Sequence, residues 1–237
     1  SSADGIVSIY SGVTISLENV TVNVPGESYG IATNGTESNN TISLKNSILN
    51  VKDGFGIYFP SSGSVTIENS EINAKYTGVQ MCAGNLAVKG DQTEITVTAK
   101  PETKEEGDGV ISDGAAISIV KRDGYQELGT VSIEAGTFTS EDSGSAIKAY
   151  TFNNTDKDEG EWANADETIA VTGGTFKNSD GTKSDVDKYI PDGAALKQNE
   201  KGTIIKDTSA STVAQIGTVD YTSLDKALTA ANNGTNK

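Results

Sequence analysis

The sequence is poor in several residue types that carry chemistry or cross-links. Its 237 residues include no histidine, one cysteine, one tryptophan and few aromatic residues overall. The single cysteine, Cys82, excludes a disulfide within the chain and is expected to be a small buried apolar residue. No apolar run approaches the length of a membrane span, and no segment has the pattern of a signal peptide.

Positive charge is also scarce. The chain has 18 Lys and Arg residues against 33 Asp and Glu residues, which gives a formal net charge of −15. Nucleic acid and anionic lipid are polyanions that such a chain repels. We therefore expect no nucleic-acid partner and no direct insertion into a membrane, and we interpret the acidity as a solvated surface.

The most informative feature that is present is an imperfect repeat. Three segments share it, namely TISLENVTVNV from Thr14, TISLKNSILNV from Thr41 and SVTIENSEINA from Ser64. In each segment, apolar residues stand two and four places before an asparagine and three and five places after it. A step of two is the periodicity of a strand, and the change of phase at the asparagine predicts a bend between two strands. A repeat of this kind indicates a repetitive architecture.

The bend position favours asparagine and glycine because these residues most readily adopt a positive φ. Two later units have glycine in the place of asparagine. We interpret the following residues as a structural ladder, with stacked amides adding some inward hydrogen bonds: Asn19, Asn46, Asn69, Gly90 and Gly173. Ala135 is the awkward member of the series, since a side chain with a Cβ is costly in that backbone region.

A second apolar run follows in every unit, from YGIAT at Tyr29 to GAALK at Gly193. The apolar residues two places before the bend recur at spacings of 27, 23, 21, 45 and 38 residues. A unit of 21 to 27 residues matches one coil of a parallel β-helix, and the larger spacings indicate insertions. We predict an all-β fold, a right-handed parallel β-helix of about six rungs and roughly 30 Å in length. A β-sandwich is the alternative, but it would not require Asn or Gly at one phase of successive units.

The spacing also divides the chain. Residues 1–206 are predicted to form the β-helix, which starts in mid-rung with an open edge and carries insertions at about 99–113, 120–129, 150–167 and 177–192. The start in mid-rung leads us to expect that the chain is an excerpt. Residues 207–237 predict a strand from Thr212 and then a helix that caps the solenoid or begins another module. Thr222 and Asp225 form its capping-box pattern, and its apolar face is predicted to comprise Tyr221, Leu224, Ala227, Leu228 and Ala231.

Three motifs near the C-terminus resemble a known group. The GGTF motif, the segment DVDKYIPDGAALKQNEKGTI and the segment VAQIGTVDYTSLDKALTAA are similar to repeats in large cell-surface proteins of Gram-positive gut bacteria. The match covers roughly Ile169 to Asn233, and Ala194-Ala195 stands where the group often has an aromatic residue. The preceding rungs resemble the general pectate-lyase-like coil. The resemblance implies an exported or wall-associated, adhesin-like protein, with neighbouring modules in a longer chain and no catalytic residues.

Pectate-lyase-like folds raise the alternative of a polysaccharide lyase or a glycoside hydrolase. A glycosidase needs two facing carboxylates, and a lyase of this fold needs a basic residue and often calcium. The chain has no histidine and a single arginine, and its regular rungs present Ser, Thr and Asn with a mixed-charge stripe of Glu18, Lys45 and Glu68. We therefore predict no catalytic residues and no cofactor. The site of such an enzyme would lie at the edge formed by the insertions.

Two insertions, from Val120 and from Tyr150, are expected to lie side by side and to bring together the single Arg and the single Trp. The candidate ligand-binding residues are Lys121, Arg122, Tyr125, Tyr150, Asp158 and Trp162. An aromatic ring beside cations and carboxylates suits a sugar or a peptide. The alternative is structural, with Trp162 packing its loop onto the rod and Arg122 pairing with an acid.

The insertions from Pro101 and Lys177 are predicted to lie on the other edge. They are rich in acids that suit calcium, which are Glu105, Glu106, Asp108, Asp180, Asp185 and Asp187. Their spacing lacks the EF-hand arrangement, so we interpret them as acidic flexible loops and predict no metal site. Taken together, the patterns predict a non-catalytic, extracellular bacterial surface fragment, an adhesin-like or stalk scaffold that binds a glycan or a host surface protein through its insertions.

Overall fold

The structure is a computed structural model that describes residues 5–8, 10–99, 102–141 and 144–233. The fold is mostly β, and most of its strands pair in parallel. The only α-helix among these residues, α1 (Leu224–Asn232), has nine residues. No helix in the described ranges is long and apolar enough to cross a bilayer.

The strands are short throughout. Those of the first part of the chain are β1 (Ile6–Ser8), β2 (Thr14–Glu18), β3 (Thr21–Val24), β4 (Tyr29–Thr33), β5 (Asn40–Lys45), β6 (Ile48–Val51), β7 (Phe55–Phe59), β8 (Gly63–Glu68), β9 (Glu71–Ala74), β10 (Thr77–Met81), β11 (Gly84–Lys89) and β12 (Glu94–Val97). Those of the second part are β13 (Lys104–Gly107), β14 (Val110–Ser112), β15 (Ile117–Arg122), β16 (Leu128–Ile133), β17 (Thr137–Ser140), β18 (Ile147–Asn153), β19 (Asp158–Gly160), β20 (Ile169–Val171), β21 (Thr175–Asn178), β22 (Leu196–Gln198), β23 (Ile204–Lys206), β24 (Ala214–Ile216) and β25 (Val219–Tyr221). Two 3₁₀ helices span Ala165–Glu167 and Asp187–Tyr189.

Apart from β13, β14 and β19, successive strands from β1 to β21 are distributed in turn over three sheets. Sheet A has the order β1-β4-β7-β10-β15-β18-β19, sheet B the order β2-β5-β8-β11-β16-β20, and sheet C the order β3-β6-β9-β12-β17-β21. Neighbours within these sheets are parallel except for β19, which runs antiparallel to β18. We call one strand from each sheet, taken in succession, a unit. The all-β class with a repeated parallel arrangement is confirmed.

Equivalent apolar residues of successive units stand directly over one another. In sheet B, Leu17 aligns with Leu44, and Leu44 aligns with Ile67. In sheet C, the corresponding column ends in Phe138 and Phe176, whose rings stack at 4.8 Å. Side chains from all three sheets belong to one buried cluster. The hydrophobic core therefore lies between the sheets, and alternate residues of each strand face outward.

The backbone bends at the asparagines of the first three units. Asn19, Asn46 and Asn69 have φ values of 56°, 48° and 47°, and Gly90 has a φ of 86°. The assignment of Gly173 to this ladder is wrong, because the positive φ belongs to Gly174, at 102°.

In the unit before, the positive φ likewise falls one residue later, on Gly136 at 113°. Ala135 therefore does not carry the bend, and the conflict that its Cβ presented at the sequence level disappears. Gly173 is required for space instead, since a Cβ there would lie 2.0 Å from the carbonyl oxygen of Glu134.

Polar side chains at the corner connect successive units. Ser47 Oγ accepts from the backbone N–H of Val20 at 3.2 Å and donates to the carbonyl of Lys45 at 2.9 Å. Ser70 repeats both contacts one unit further on. These buried hydroxyls satisfy backbone groups that the bend removes from the sheets.

A ladder of hydrogen-bonded amides exists, but its residues were not the ones predicted. Asn19 and Asn46 are exposed, so their amides do not point inward. The amides that pair stand four places later, on sheet C. Asn73 Nδ2 donates to Asn50 Oδ1, and Asn50 Nδ2 donates to Asn23 Oδ1, each at 2.8 Å. Side chains on the outer face of the sheet thus hold its first three strands in register.

The bend assignment makes a testable distinction at Asn46. We expect Asn46→Val to lower the free energy of unfolding by about 1–3 kcal/mol, because a β-branched residue resists a positive φ. Asn46→Gly should cost less, since glycine adopts this φ without strain. Urea denaturation followed by circular dichroism measures both losses. Equal losses would contradict a backbone role for Asn46.

The C-terminal region leaves the repeated pattern. The GAALK segment does not add a strand to sheet A as predicted. Ala194 instead bridges to Tyr221, and β22 forms an antiparallel pair with β23. The predicted strand is present as β24, which pairs with β25 ahead of α1.

The apolar face predicted for the C-terminal helix is wrong in part. Tyr221, Ala227 and Ala230 are buried, whereas Leu224 and Leu228 are 62% and 52% exposed. The helix packs its alanine side chains against β24 and β25. Its N-cap is Ser223, which makes no side-chain capping bond, so the capping box from Thr222 is not formed.

Candidate functional site

The outer face of sheet A is covered by a hairpin formed by β13 and β14. Val110 and Ile111 of this hairpin are buried against outward-facing residues of the sheet, including Tyr58, Tyr150 and Phe152. The prediction that this insertion lies on the edge opposite the Arg122 insertion is wrong. The hairpin carries enough apolar surface to fold onto sheet A, where it meets both β15 and β18.

Arg122 is buried beneath the hairpin and is fully engaged there. Its guanidinium donates to Glu105 Oε2 at 2.8 Å, to the carbonyl of Gly109 at 2.6 Å and to Asn154 Oδ1 at 2.8 Å. The rings of Tyr125 and Phe152 each lie 4.9 Å from its central carbon. These contacts use the guanidinium inside the protein. The geometry therefore matches the alternative in which Arg122 pairs with an acid and has a structural role.

Glu105 receives a second ion pair from Lys157 at 2.9 Å. Burial acts to raise the pKa of this carboxyl, but the hydrogen bonds from Lys157 and Arg122 outweigh it, and the pKa is lowered. The acidic insertion is thus tied down by ion pairs. It is not the loose acidic loop that its composition predicted.

A buried carboxylate, Asp113, was missed by sequence reasoning. Its oxygens accept from Tyr150 Oη at 2.8 Å, Thr77 Oγ1 at 3.0 Å, Ser118 Oγ at 2.5 Å and the N–H of Ala115 at 3.0 Å. Four donors compensate for the loss of water around a buried charge. The cluster therefore stabilises the base of the hairpin and offers no free group for chemistry.

The sequence around Asp113 has a recognisable pattern, but the same pattern occurs at an aspartate on the surface. The pair Asp113-Gly114 precedes the second apolar run of its unit, as Asp53-Gly54 does in an earlier unit. Asp53, however, is partly exposed and pairs with Lys75 at 3.0 Å. The difference depends on the hairpin, which only the fold brings over Asp113.

Tyr150 and Tyr125 serve the same packed layer. Burial, with the charge of Asp113, raises the pKa of Tyr150 far above its ordinary value, so its hydroxyl remains a donor. Tyr125 lies between Arg122 and Tyr58, whose hydroxyl is 3.5 Å from its own. Burial likewise raises the pKa of the Cys82 thiol to about 12, which keeps it neutral.

Trp162 stands apart from this layer and lines two clefts. One cleft, of about 640 Å³, is also lined by Lys148, Lys188 and Tyr189, and we call it the Tyr189 cleft. The other, of about 520 Å³, is also lined by Lys121 and Glu167, and we call it the Glu167 cleft. The indole is half-buried against the main core, and Lys121 Nζ lies 5.8 Å from its centroid.

The predicted site residues are therefore separated into groups. Lys121, Trp162 and the edges of Arg122 and Tyr125 meet at the Glu167 cleft, and Tyr150 contributes to the wall of the Tyr189 cleft. Asp158 is exposed on β19 and lines neither cleft. The insertions from Val120 and Tyr150 do lie side by side, and they leave Tyr125 and Trp162 partly exposed.

Tyr189 was not predicted as a site residue, although it forms part of a cleft wall. Its side chain is buried, and its hydroxyl has no hydrogen-bond partner among the described residues. Lys188 Nζ lies 4.8 Å from its ring centroid. Burial raises the pKa of Tyr189, and its hydrogen-bonding and charge interactions with Lys188 oppose this in part. The hydroxyl lies inside the cleft wall and has no exposed surface.

The acidic residues considered for calcium do not converge. Glu106 pairs with Lys104, Asp180 accepts from Thr182 in its own turn, and Asp187 pairs with Lys183. Within the described ranges, no three Asp, Glu, Cys or His side chains are grouped so that they could hold a metal ion together.

Comparison of the chain with protein-family models, with curated proteins and with solved structures finds no match.

Proposed function

We propose that the three sheets wind as a right-handed parallel β-helix. Two observations support this: apart from the β13–β14 hairpin and β19, each third strand up to β21 returns to the same sheet, and the pairing between units is parallel. Connections between parallel strands of one sheet are right-handed in about 98% of known cases. An experimental structure would test the hand directly, and a left-handed winding would contradict this part of the proposal.

The function that we propose is that of a non-catalytic binding scaffold in an extracellular, adhesin-like bacterial surface protein. The observation that carries it is the position of Trp162 between two clefts, on insertions outside the regular units. The regular units present Ser, Thr, Asn and paired charges such as Lys89 with Glu68. Repeat proteins commonly place binding surfaces on such insertions. The resemblance of residues 169–233 to Gram-positive surface repeats supports the extracellular setting.

The electrostatics favour binding over polysaccharide cleavage. A glycosidase needs a carboxylic acid whose pKa is raised. Within the described part of the chain, the carboxyl groups with a shifted pKa have it lowered, and these are Glu105, Glu106, Asp180 and Asp207. Each of them accepts hydrogen bonds that stabilise its charged form.

Labelling of cells tests the proposed setting. Antibodies raised against the 237-residue chain should label intact cells of the source organism as strongly as permeabilised cells. Labelling that requires permeabilisation would contradict a surface location. Incubation of the chain with polysaccharides should release no new reducing ends or unsaturated products, and sustained release would favour the enzyme.

A further inference from the structure

We infer that the groove formed by the Tyr189 and Glu167 clefts binds a neutral oligosaccharide, with Trp162 at its centre. The inference rests on the proposed role as a binding scaffold and names its ligand class. Trp162 lines both clefts and packs on the core. A ring that is anchored in this way and is half-exposed provides a platform for the apolar face of a sugar.

The polar groups of the groove suit hydroxyls. Lys148 and Lys188 supply donors in the Tyr189 cleft, while Glu161 and Asp166 supply acceptors. The Glu167 cleft repeats this mixture with Lys121, Asn164 and Glu167. A sugar hydroxyl both donates and accepts, so donors and acceptors placed around an aromatic ring match its chemistry.

Charge argues against an acidic sugar. Lys121, Lys148 and Lys188 are outnumbered by the groove acids, which are Glu127, Glu159, Glu161, Asp166 and Glu167. Arg122 does not alter this balance, because Glu105 pairs with it. The chain as a whole carries a net charge of −15. The excess of acids in the groove would therefore repel a uronate or a sulfated glycan at close range.

Tyr189 supports one wall of the groove from the inside. Its side chain is buried, and its hydroxyl has no exposed surface through which a ligand could reach it. Lys188 Nζ lies 4.8 Å from the centroid of its ring. We therefore assign the contacts with the sugar to Trp162 and to the charged side chains of the groove, and a structural role to Tyr189.

The size of the groove indicates more than one sugar residue. The two clefts have volumes of about 640 and 520 Å³ and share Trp162 as a wall. Each cleft falls in the range of small-molecule sites, which is about 300–1,000 Å³. A chain of linked sugars can thus occupy both sides of the indole at once.

The single tryptophan makes the test direct, since all indole fluorescence comes from Trp162. The probes are hexasaccharides of β-1,4-linked glucose, xylose, mannose and N-acetylglucosamine, with oligogalacturonate and hexalysine as charged comparisons. We expect at least one neutral hexasaccharide to change the emission and to show binding by calorimetry. The affinity should be unchanged when sodium chloride is raised, because no net charge is paired.

Substitutions assign the contacts. Trp162→Ala should weaken binding roughly tenfold or more, and Trp162→Phe should weaken it less because a ring remains. Tyr189→Phe should change the affinity by less than about twofold, because its hydroxyl is enclosed in the cleft wall and does not contact the ligand. Tyr10→Phe, which changes a tyrosine that is 69% exposed, is the matched control and should have no effect. Circular dichroism will show whether each variant is folded. If Trp162→Ala is unfolded, the loss of affinity is measured with Trp162→Phe instead.

Three results would overturn the inference. These are no binding by any neutral hexasaccharide, salt-sensitive binding of oligogalacturonate or hexalysine alone, and unchanged neutral-sugar affinity in both folded Trp162 variants. If one of these results is found and intact cells are labelled, the proposed surface scaffold stands and only the neutral-oligosaccharide ligand is rejected. If a sugar binds but intact cells are not labelled, the ligand stands and the surface location is rejected.

Discussion

Gly56→Val is expected to lower the free energy of unfolding by roughly 3 kcal/mol or more. Gly56 is the second residue of β7 in sheet A, where successive units approach closely. A Cβ at this position would lie 2.2 Å from the carbonyl oxygen of Gly78 and 2.6 Å from Ile72 Cγ2. Both neighbours are fixed, one in the backbone of β10 and the other in the core. The strand must therefore move away from its parallel partner, which breaks hydrogen bonds on both of its sides.

Gly26→Val is the matched control for this substitution. A Cβ at Gly26 would have no heavy atom within 4 Å, and Gly26 is not among the residues with positive φ. We expect its stability to stay within about 0.5 kcal/mol of the parent chain. Guanidinium denaturation followed by circular dichroism compares the two variants. A loss for Gly56→Val no larger than that for Gly26→Val would show that β7 is not held close to β10 of sheet A and to β9 of sheet C at this point.

Arg122→Met is expected to cost about 3–5 kcal/mol of unfolding free energy. Methionine keeps much of the apolar stem but removes the donors to Glu105, Gly109 and Asn154. The carbonyl of Gly109 is then buried without this donor, and the hairpin loses its principal tie to β15. We expect the hairpin to become sensitive to protease in this variant.

Lys157→Met serves as the comparison, because Lys157 pairs with the same Glu105 oxygen from a side chain that is 53% exposed. An exposed ion pair contributes about 0–1 kcal/mol, so this variant should remain close to the parent chain. Denaturation midpoints and limited proteolysis measure both effects. Similar losses in the two variants would mean that the buried contacts of Arg122 contribute little beyond its charge.

The regular units could be predicted from sequence because their information is local and repeated. An apolar residue at every second position, with a phase break at Asn19, Asn46 and Asn69, requires bent strands wherever it occurs. The structure confirms strands on both sides of these residues and positive φ at each of them. The shift of the bend to Gly136 and Gly174 was not visible, because two adjacent small residues satisfy the same sequence pattern.

The site depended on contacts that sequence spacing does not encode. Glu105 and Arg122 are 17 residues apart, and Asp113 and Tyr150 are 37 residues apart. Their meeting follows from the hairpin folding back over sheet A, whereas the acid-rich composition of the insertion indicated exposure. Trp162 was identified because it is unique in the chain. Tyr189 was not identified, because a tyrosine in a core and a tyrosine beside a cleft have the same local pattern.

The hairpin of β13 and β14 also determines how the molecule carries mechanical load. In the three sheets, backbone hydrogen bonds link each unit to the next. A force that pulls the two ends of the chain apart therefore acts on these hydrogen bonds one layer after another, and we expect the units to separate one at a time. The hairpin adds a second connection between units, outside the sheets. It receives hydrogen bonds from Tyr58 on β7 at 2.9 Å, from Gln80 on β10 at 3.1 Å and from Arg122 on β15 at 2.6 Å. The hairpin thus joins three consecutive units, so separating any two of them also requires breaking contacts of the hairpin.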